Sequence, residues 1–352
     1  MIFTYQPYPV RVVFGYPLVD AVRKEIIPVK ERAVWIIASS RFDDLVETLS
    51  ENRLFPIAGR SRDVVQHVPE EIVKREVHVI KKVRPDLLLS IGGGSATGLA
   101  KAIALEYPVP IWAAPTTYSG SEMTNIYGIS SSGKKIVGRD EKVLPKTVFY
   151  DPSLSENLPK GLAVKSAMNA MAHLIEAVYS TNNNPFSYQN AIQGIRSVYN
   201  GMIDMSIQKS MDTEINEKFL LGSCLAGKTL CEVSMALHHK AVHVLGGSFG
   251  MDHASVHTVL LPYVFNFQWP HLEKQAKNDF WNIFSNGHPP SILQKTAKKL
   301  GAPVTLRELG FQKKDAKKAA SQLMALTFDN PAPMNQASLT RLMKNAYDGM
   351  LE

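Results

Sequence analysis

Short runs of Val, Ile and Leu, bounded by Gly, Pro or polar residues, recur through the first 150 positions of this 352-residue chain. They lie at 11–15 (RVVFG), 32–39 (RAVWIIAS), 54–59 (LFPIAG), 86–93 (DLLLSIGG), 109–115 (VPIWAAP) and 146–152 (KTVFYDP). Each is predicted to be a strand. Between them, segments such as FDDLVETLSEN (42–52) and EEIVKREVHVIKKVR (70–84) space their apolar residues three and four apart, as helices do. Near-continuous apolar strands alternating with helices predict a parallel sheet covered on both faces.

From Leu158 onward the β-branched runs thin out and helical spacing takes over. PKGLAVKSAMNAMAHLIEAVYS (159–180) opens with proline and carries small and apolar residues at helical intervals, the pattern of a buried helix. The predicted architecture is therefore an α/β nucleotide-binding domain over 1–155, followed by an all-helical domain over 156–352. No internal repeat or low-complexity segment interrupts either.

Composition adds exclusions. With 45% hydrophobic and 20% charged residues the chain reads as an ordinary globular protein. No apolar run reaches the roughly 18–20 residues of a membrane span, so no membrane partner is expected. The start, MIFTYQPYPVRVVFGYP, lacks a long apolar stretch after a basic patch and suggests no signal peptide. The two cysteines, Cys224 and Cys231, fit a reducing cytoplasm. The net charge of +7 comes from basic residues scattered among acids, and GFQKKDAKKAASQ (310–322) reads as a solvated helix face. Nucleic acid is not expected as a partner; an anionic cofactor and an anionic substrate account for the excess.

Candidate chemistry begins with LLLSIGGGSATGLAKAIA (87–104), a strand, a glycine turn and a helix. Gly92, Gly93 and Gly94 allow a ligand close to the backbone, and the helix from Ser95 aims free N–H groups at the turn. This pattern favours a phosphate. It is not the usual dinucleotide fingerprint, because Thr97 holds the third glycine position, and no Gly-Lys-Ser/Thr follows as in a P-loop. APTTYSGSEMT (114–124) follows the next strand, so Thr116, Thr117, Tyr118, Ser119 and Ser121 are candidates for the same ligand. The second strand ends in IASSRFDD (37–44), with Ser39, Ser40 and Arg41 where an acid would disfavour a 2′-phosphate.

LHHKAVHVLGGSFGMDHASVH (237–257) concentrates five of the ten histidines. His239 and His243 are four apart, as are His253 and His257, and His173 follows Asn169 by four. Four residues is one helical turn, so each pair shares a face. Three imidazoles and one oxygen would suit a divalent ion. The oxygen would come from Asn169, a neutral amide that leaves the ion's charge uncompensated, so no metal is expected.

Taken together, RVVFG, IGGGSATGLAKAIA, APTTYSGSEMT, KTVFYDPSLSENLP, NAMAHLIEA and LHHKAVHVLGGSF…H resemble the iron-containing alcohol dehydrogenase superfamily, in its maleylacetate reductase branch. The resemblance implies the dehydroquinate synthase-like fold, a nucleotide-binding α/β domain and a helical domain. It implies that Asn169, His173, His239 and His253 stand at the metal-ligand positions of metal-dependent members, vestigial in this branch. It also implies NADH as cofactor, cytoplasmic reduction of 2-maleylacetate to 3-oxoadipate in aromatic compound breakdown, and His243 beside the reacting centre. His173, His239 and His253 are further catalytic candidates, and Lys240 is a candidate partner for a substrate carboxylate. Arg41 leaves NADPH open, and a homodimer is the default assembly. Three positions depart from the branch: Ala332 where an arginine is frequent, Asp252 where proline is usual, and Tyr263 where histidine is common. A lost cation weakens dianion binding, so the resemblance holds the reaction more firmly than the substrate. A metal-dependent alcohol or polyol dehydrogenase and a dehydroquinate synthase-like lyase remain the alternatives.

Overall fold

The computed structural model describes residues 2–25, 32–131, 134–208, 211–285 and 287–351. Two compact units form: one of Gln6–Leu158 with Asp212–Leu220, the other of Met1–Tyr5 with Pro159–Met211 and Leu221–Glu352.

The first unit is built on a six-stranded sheet of β1 (Arg11–Phe14), β2 (Val34–Ile37), β3 (Ile57–Ser61), β4 (Leu87–Gly92), β5 (Ile111–Pro115) and β8 (Thr147–Tyr150), in the order β1-β8-β5-β4-β2-β3. Every pair is parallel. Its helices are α1 (Leu18–Glu25), α2 (Asp43–Glu51), α3 (Glu70–Val83) and α4 (Gly94–Glu106). Alternate residues of one strand serve opposite faces. Val34 and Ile36 pack with Leu18, Val22 and Leu49 of α1 and α2. Trp35 and Ile37 pack with Val73, Val77 and Ile80 of α3 and Leu99 and Ile103 of α4. Burial on both faces is why the strands read as unbroken apolar runs.

All six predicted strands are present. An antiparallel hairpin of β6 (Ile126–Ser131) and β7 (Lys134–Arg139) is added. The hydrophobic pattern did not announce it. IYGISS is only half-buried throughout, and Ile136 and Val137 of β7 are exposed, so no core selects an apolar run there.

The second unit is helical: α5 (Lys160–Tyr179), α6 (Pro185–Gln208), α7 (Thr213–Glu232), α8 (Leu237–Phe249), α9 (His253–Gln268), α10 (Lys274–Ile283), α11 (Pro289–Lys299), α12 (Ala316–Met324) and α13 (Gln336–Asp348). Helix α7 contributes Thr213–Leu220 to the first unit and its remainder to the second. Helix α5 packs against α6 and α9, and α8 against α9. Leu237, Val242 and Leu245 of α8 join Val256, Val259 and Leu260 of α9 in one core. Both cysteines are buried and free. Among the described residues no single helix is long and apolar enough to cross a membrane.

Candidate active site

Strands β4 and β5 are neighbours, with Gly92 opposite Pro115, so the loops that follow them emerge at one sheet edge. Gly92 has φ +149°, a conformation that disfavours a side chain, and a Cβ there would lie 2.9 Å from Ala96 Cβ. A Cβ on Gly93 would lie 2.9 Å from Thr117 Cγ2, and one on Gly94 would lie 3.5 Å from Ser119 Oγ. The Thr116 N–H donates to the Gly92 carbonyl at 3.1 Å. The glycine turn and the hydroxyl loop are therefore one surface. No side chain caps α4, and its first turn holds no acid. Its first N–H groups are directed at an open cradle suited to an anion. Ser95, Thr117 and Ser119 are half-buried around it, and Gly94 is exposed.

Ser39 lies two residues beyond β2, the neighbour of β4, and Phe42 reaches to 4.0 Å from a Cβ placed on Gly92. Arg60 donates to the carbonyls of Ala38 and Ser39 at 3.0 and 2.6 Å and pairs with Asp43 at 2.7 Å, fixing the bend. Arg41 is exposed.

Tyr118 does not join the cradle, contrary to its candidacy from sequence. It is fully buried, its hydroxyl donates to Asn216 Oδ1 at 2.6 Å, and its ring packs on Phe219 at 4.9 Å. It anchors the loop from behind. Lys101, which the sequence pattern did not single out, does the same from α4. Its buried ammonium donates to the carbonyls of Ser121, Thr124 and Ile126 at 2.6, 2.7 and 2.8 Å. A cation within an otherwise apolar helix was the available signal.

In the helical unit, α5, α8 and α9 assemble six imidazoles. His173 stacks on His239 at 4.5 Å between ring centroids, and His243 on His253 at 5.5 Å. His257 joins the two groups, 5.0 Å from His239 and 4.9 Å from His253. His238 Nε2 and His257 Nδ1 share a hydrogen bond of 2.9 Å. His173, His238, His239 and His257 are buried, His253 is half-buried and His243 is exposed. Burial pushes the proton affinities of His173, His239 and His257 well below the usual imidazole range. It lowers that of His238 to about 3, against the opposing pull of Glu176. The buried four are thus neutral. Lys240, half-buried, follows His239 on α8.

A second residue that sequence reading passed over is Glu176, three after His173 on α5 and completely buried. It accepts the His238 N–H at 2.7 Å and makes a short contact with His239 Nδ1. Its place on the Asn169–His173 face, at i+7 and i+3, was the signal.

Residues 9–152 match the iron-containing alcohol dehydrogenase family, and residues 163–347 match that family's C-terminal domain. The chain belongs to this family. Within it, the chain lies in the maleylacetate reductase branch. It is 34% identical over 347 residues to maleylacetate reductase 1 of Cupriavidus pinatubonensis, covering 99% of this chain and 98% of the relative. Its fold is similar to the crystal structure of maleylacetate reductase from Agrobacterium tumefaciens, with TM-score 0.94, 32% identity and full coverage of both chains. That from a Rhizobium species gives 0.93 and 34%, covering 100% of this chain and 99% of the other.

The family's name raises the question of iron. His173 and His239 stack on one another, Asn169 stands one turn before His173 on α5, and the buried atoms Asn169 Oδ1 and His239 Nε2 have no hydrogen-bond partner. Yet all three are neutral groups. The nearby carboxylate, Glu176, is turned to backbone N–H groups and to His239 Nδ1. Among the described residues no three His, Cys, Asp or Glu side chains are arranged to hold a metal ion. Such a neutral set leaves the charge of a divalent ion uncompensated, which weighs against iron at this place.

The three departures from the branch have structural roles. Asp252 caps α9, accepting from the Ser255 N–H at 2.9 Å, and so supports the helix that carries His253 and His257. The Tyr263 hydroxyl donates to the Val304 carbonyl at 2.6 Å. Ala332 is buried, its N–H donating to Gln268 Oε1 at 3.1 Å, while Asn330 of the same loop accepts from the Leu237 N–H at 3.3 Å. That loop therefore ties down the start of α8 and supplies no cation at position 332.

Proposed function

We propose that this chain reduces the carbon–carbon double bond of 2-maleylacetate to give 3-oxoadipate, with NADH as electron donor and without a metal. The observation that supports it most directly is the set of six clustered imidazoles, four neutral by burial, in a chain of the maleylacetate reductase branch. Gly92, Gly93, Gly94 and Ser95 hold the pyrophosphate, with Thr116, Thr117 and Ser119 lining its far side and Ser39 toward the adenosine ribose. When bound, reduced nicotinamide dinucleotide supplies a hydride.

Maleylacetate takes that hydride at the alkene carbon farther from its ketone. The alkene electron pair shifts, and an enolate forms with its negative charge on the ketone oxygen. A proton added at the carbon next to the ketone restores the C=O bond and completes the product. Hydrogen-bond donors aimed at the oxygen lower the barrier, and His243 and His253, the more accessible rings, serve there. His243 also relays the proton from solvent, as its exposure allows. Lys240 pairs with one substrate carboxylate. The missing cation at Ala332 limits affinity for the second.

The test is spectrophotometric. NADH oxidation with maleylacetate should proceed at the same rate before and after exhaustive chelation, and a strict requirement for added iron or zinc would overturn the metal-free reading. Running NADPH in parallel measures what Arg41 contributes.

A further inference from the structure

Glu176 lies against the His238 and His239 end of the histidine cluster, fully buried, and no step of the proposed reduction uses it. Both its oxygens already act as acceptors. Oε1 takes the His238 N–H at 2.7 Å and the Tyr179 hydroxyl at 3.4 Å, and Oε2 takes the His239 N–H at 3.4 Å. These backbone groups open α8, where no carbonyl of the preceding turn exists to receive them. A carboxylate in that position also suits the positive end of the helix dipole. Oε2 further contacts His239 Nδ1. A ring nitrogen facing an acceptor must carry the hydrogen, and a neutral imidazole carries only one. His239 Nε2 is thereby left with a lone pair. That atom is buried without a protein partner, as are Asn169 Oδ1 and the Nδ1 of His173, whose ring stacks on His239.

We propose that Glu176 is a positioning residue of the reductase. It holds His239 in the Nδ1–H tautomer, so that Nε2 meets the bound substrate or water as a hydrogen-bond acceptor. This rests on the maleylacetate reading above and refines it. His239 does not donate to the ketone oxygen, which leaves that task to other rings, and it holds an O–H group in place instead. The logic is that of a carboxylate orienting the histidine of a catalytic triad, where the wrong tautomer costs far more than a lost contact.

The tautomer is readable without substrate. In protein labelled with ¹⁵N-histidine, a long-range ¹H–¹⁵N correlation spectrum should show a protonated Nδ1 and a bare Nε2 for His239, assigned by loss of the signal in His239→Gln. Glu176→Gln keeps the side chain's shape and its oxygen can still accept the His238 N–H, but it turns an amide N–H toward Nδ1. The His239 pattern should then reverse. The kcat for maleylacetate should fall at least about tenfold while the KM for NADH stays unchanged. A bare Nδ1 in the wild type overturns the proposal whatever the variant does. So does a reversed tautomer with kcat within about twofold of wild type. Absence of maleylacetate reduction by the wild type would instead overturn the functional reading, and the substrate-free spectrum tells the two failures apart.

Discussion

A methyl group on Gly93 would stand 2.9 Å from Thr117 Cγ2 and 3.0 Å from Thr117 Oγ1. The two loops that follow β4 and β5 therefore touch at a point where only hydrogen fits. The backbone of Gly93, at φ −79° and ψ −161°, suits any residue, so substitution there acts through this contact alone. Gly93→Ala should displace Thr117 and raise the dissociation constant for NADH about tenfold, near 1.4 kcal/mol, with folding intact. Fluorescence titration of NADH checks it, and an unchanged constant would show that these loops are not the cofactor's seat.

His243 is the most accessible ring of the cluster. If it relays the proton, His243→Ala should lower kcat on the order of a hundredfold and leave NADH affinity alone. Parallel loss of both would place the residue in cofactor binding instead.

Burial keeps His173, His238, His239 and His257 neutral in the folded protein. An unfolded imidazole binds a proton near pH 6.5, whereas these bind theirs only at much lower pH. Between those limits the unfolded chain holds more protons, so stability rises with pH. The contribution is complete above about pH 6.5 and is lost progressively below it, at up to about 1.4 kcal/mol per pH unit for each ring. Glu176, whose carboxyl burial pushes up, works in the opposite direction. Urea unfolding at about pH 7.5 and about pH 5.5 should show a clearly lower midpoint at the acid value. Equal midpoints would mean that the rings are not buried in solution.

Lys101 joins α4 to the hydroxyl loop through three carbonyls. Lys101→Met retains the length of the side chain but leaves those acceptors without their donor. Stability should drop by about 3 kcal/mol and NADH binding should weaken as the loop loosens. Thermal melts with and without NADH measure both effects. A variant as stable as wild type would mean that other donors replace the ammonium.

Tyr118 separates anchoring from ligand contact. Tyr118→Phe removes the hydroxyl that donates to Asn216 and keeps the ring. It should cost about 1 kcal/mol of stability and leave the KM for NADH unchanged. A raised KM with unchanged stability would return the hydroxyl to the cofactor site.

The parallel sheet was legible because each central strand is buried on both faces. Val34 and Ile36 meet one pair of helices, Trp35 and Ile37 the other, and selection for apolar side chains leaves an unbroken run. The β6–β7 hairpin was not legible, since half-exposed residues such as Tyr127 and Ser130 carry no such requirement. The histidines announced themselves through helical spacing within α8 and within α9. Glu176 did not, because its meaning lies in the first turn of a helix some sixty residues away in the chain.

Sequence alone determined the order of elements, the glycine turn after a buried strand, the hydroxyl loop beside it and the collection of imidazoles on two short stretches. All of these are consequences of local spacing, which any window of the chain contains. Tertiary structure decided which groups face one another. It turned Tyr118 away from the cradle and onto Asn216, set Lys101 beneath the loop, and brought the Glu176 carboxylate to the N–H groups of α8 and to one nitrogen of His239. A hydrogen bond depends on direction and on a partner far away in the chain, and composition and periodicity record neither.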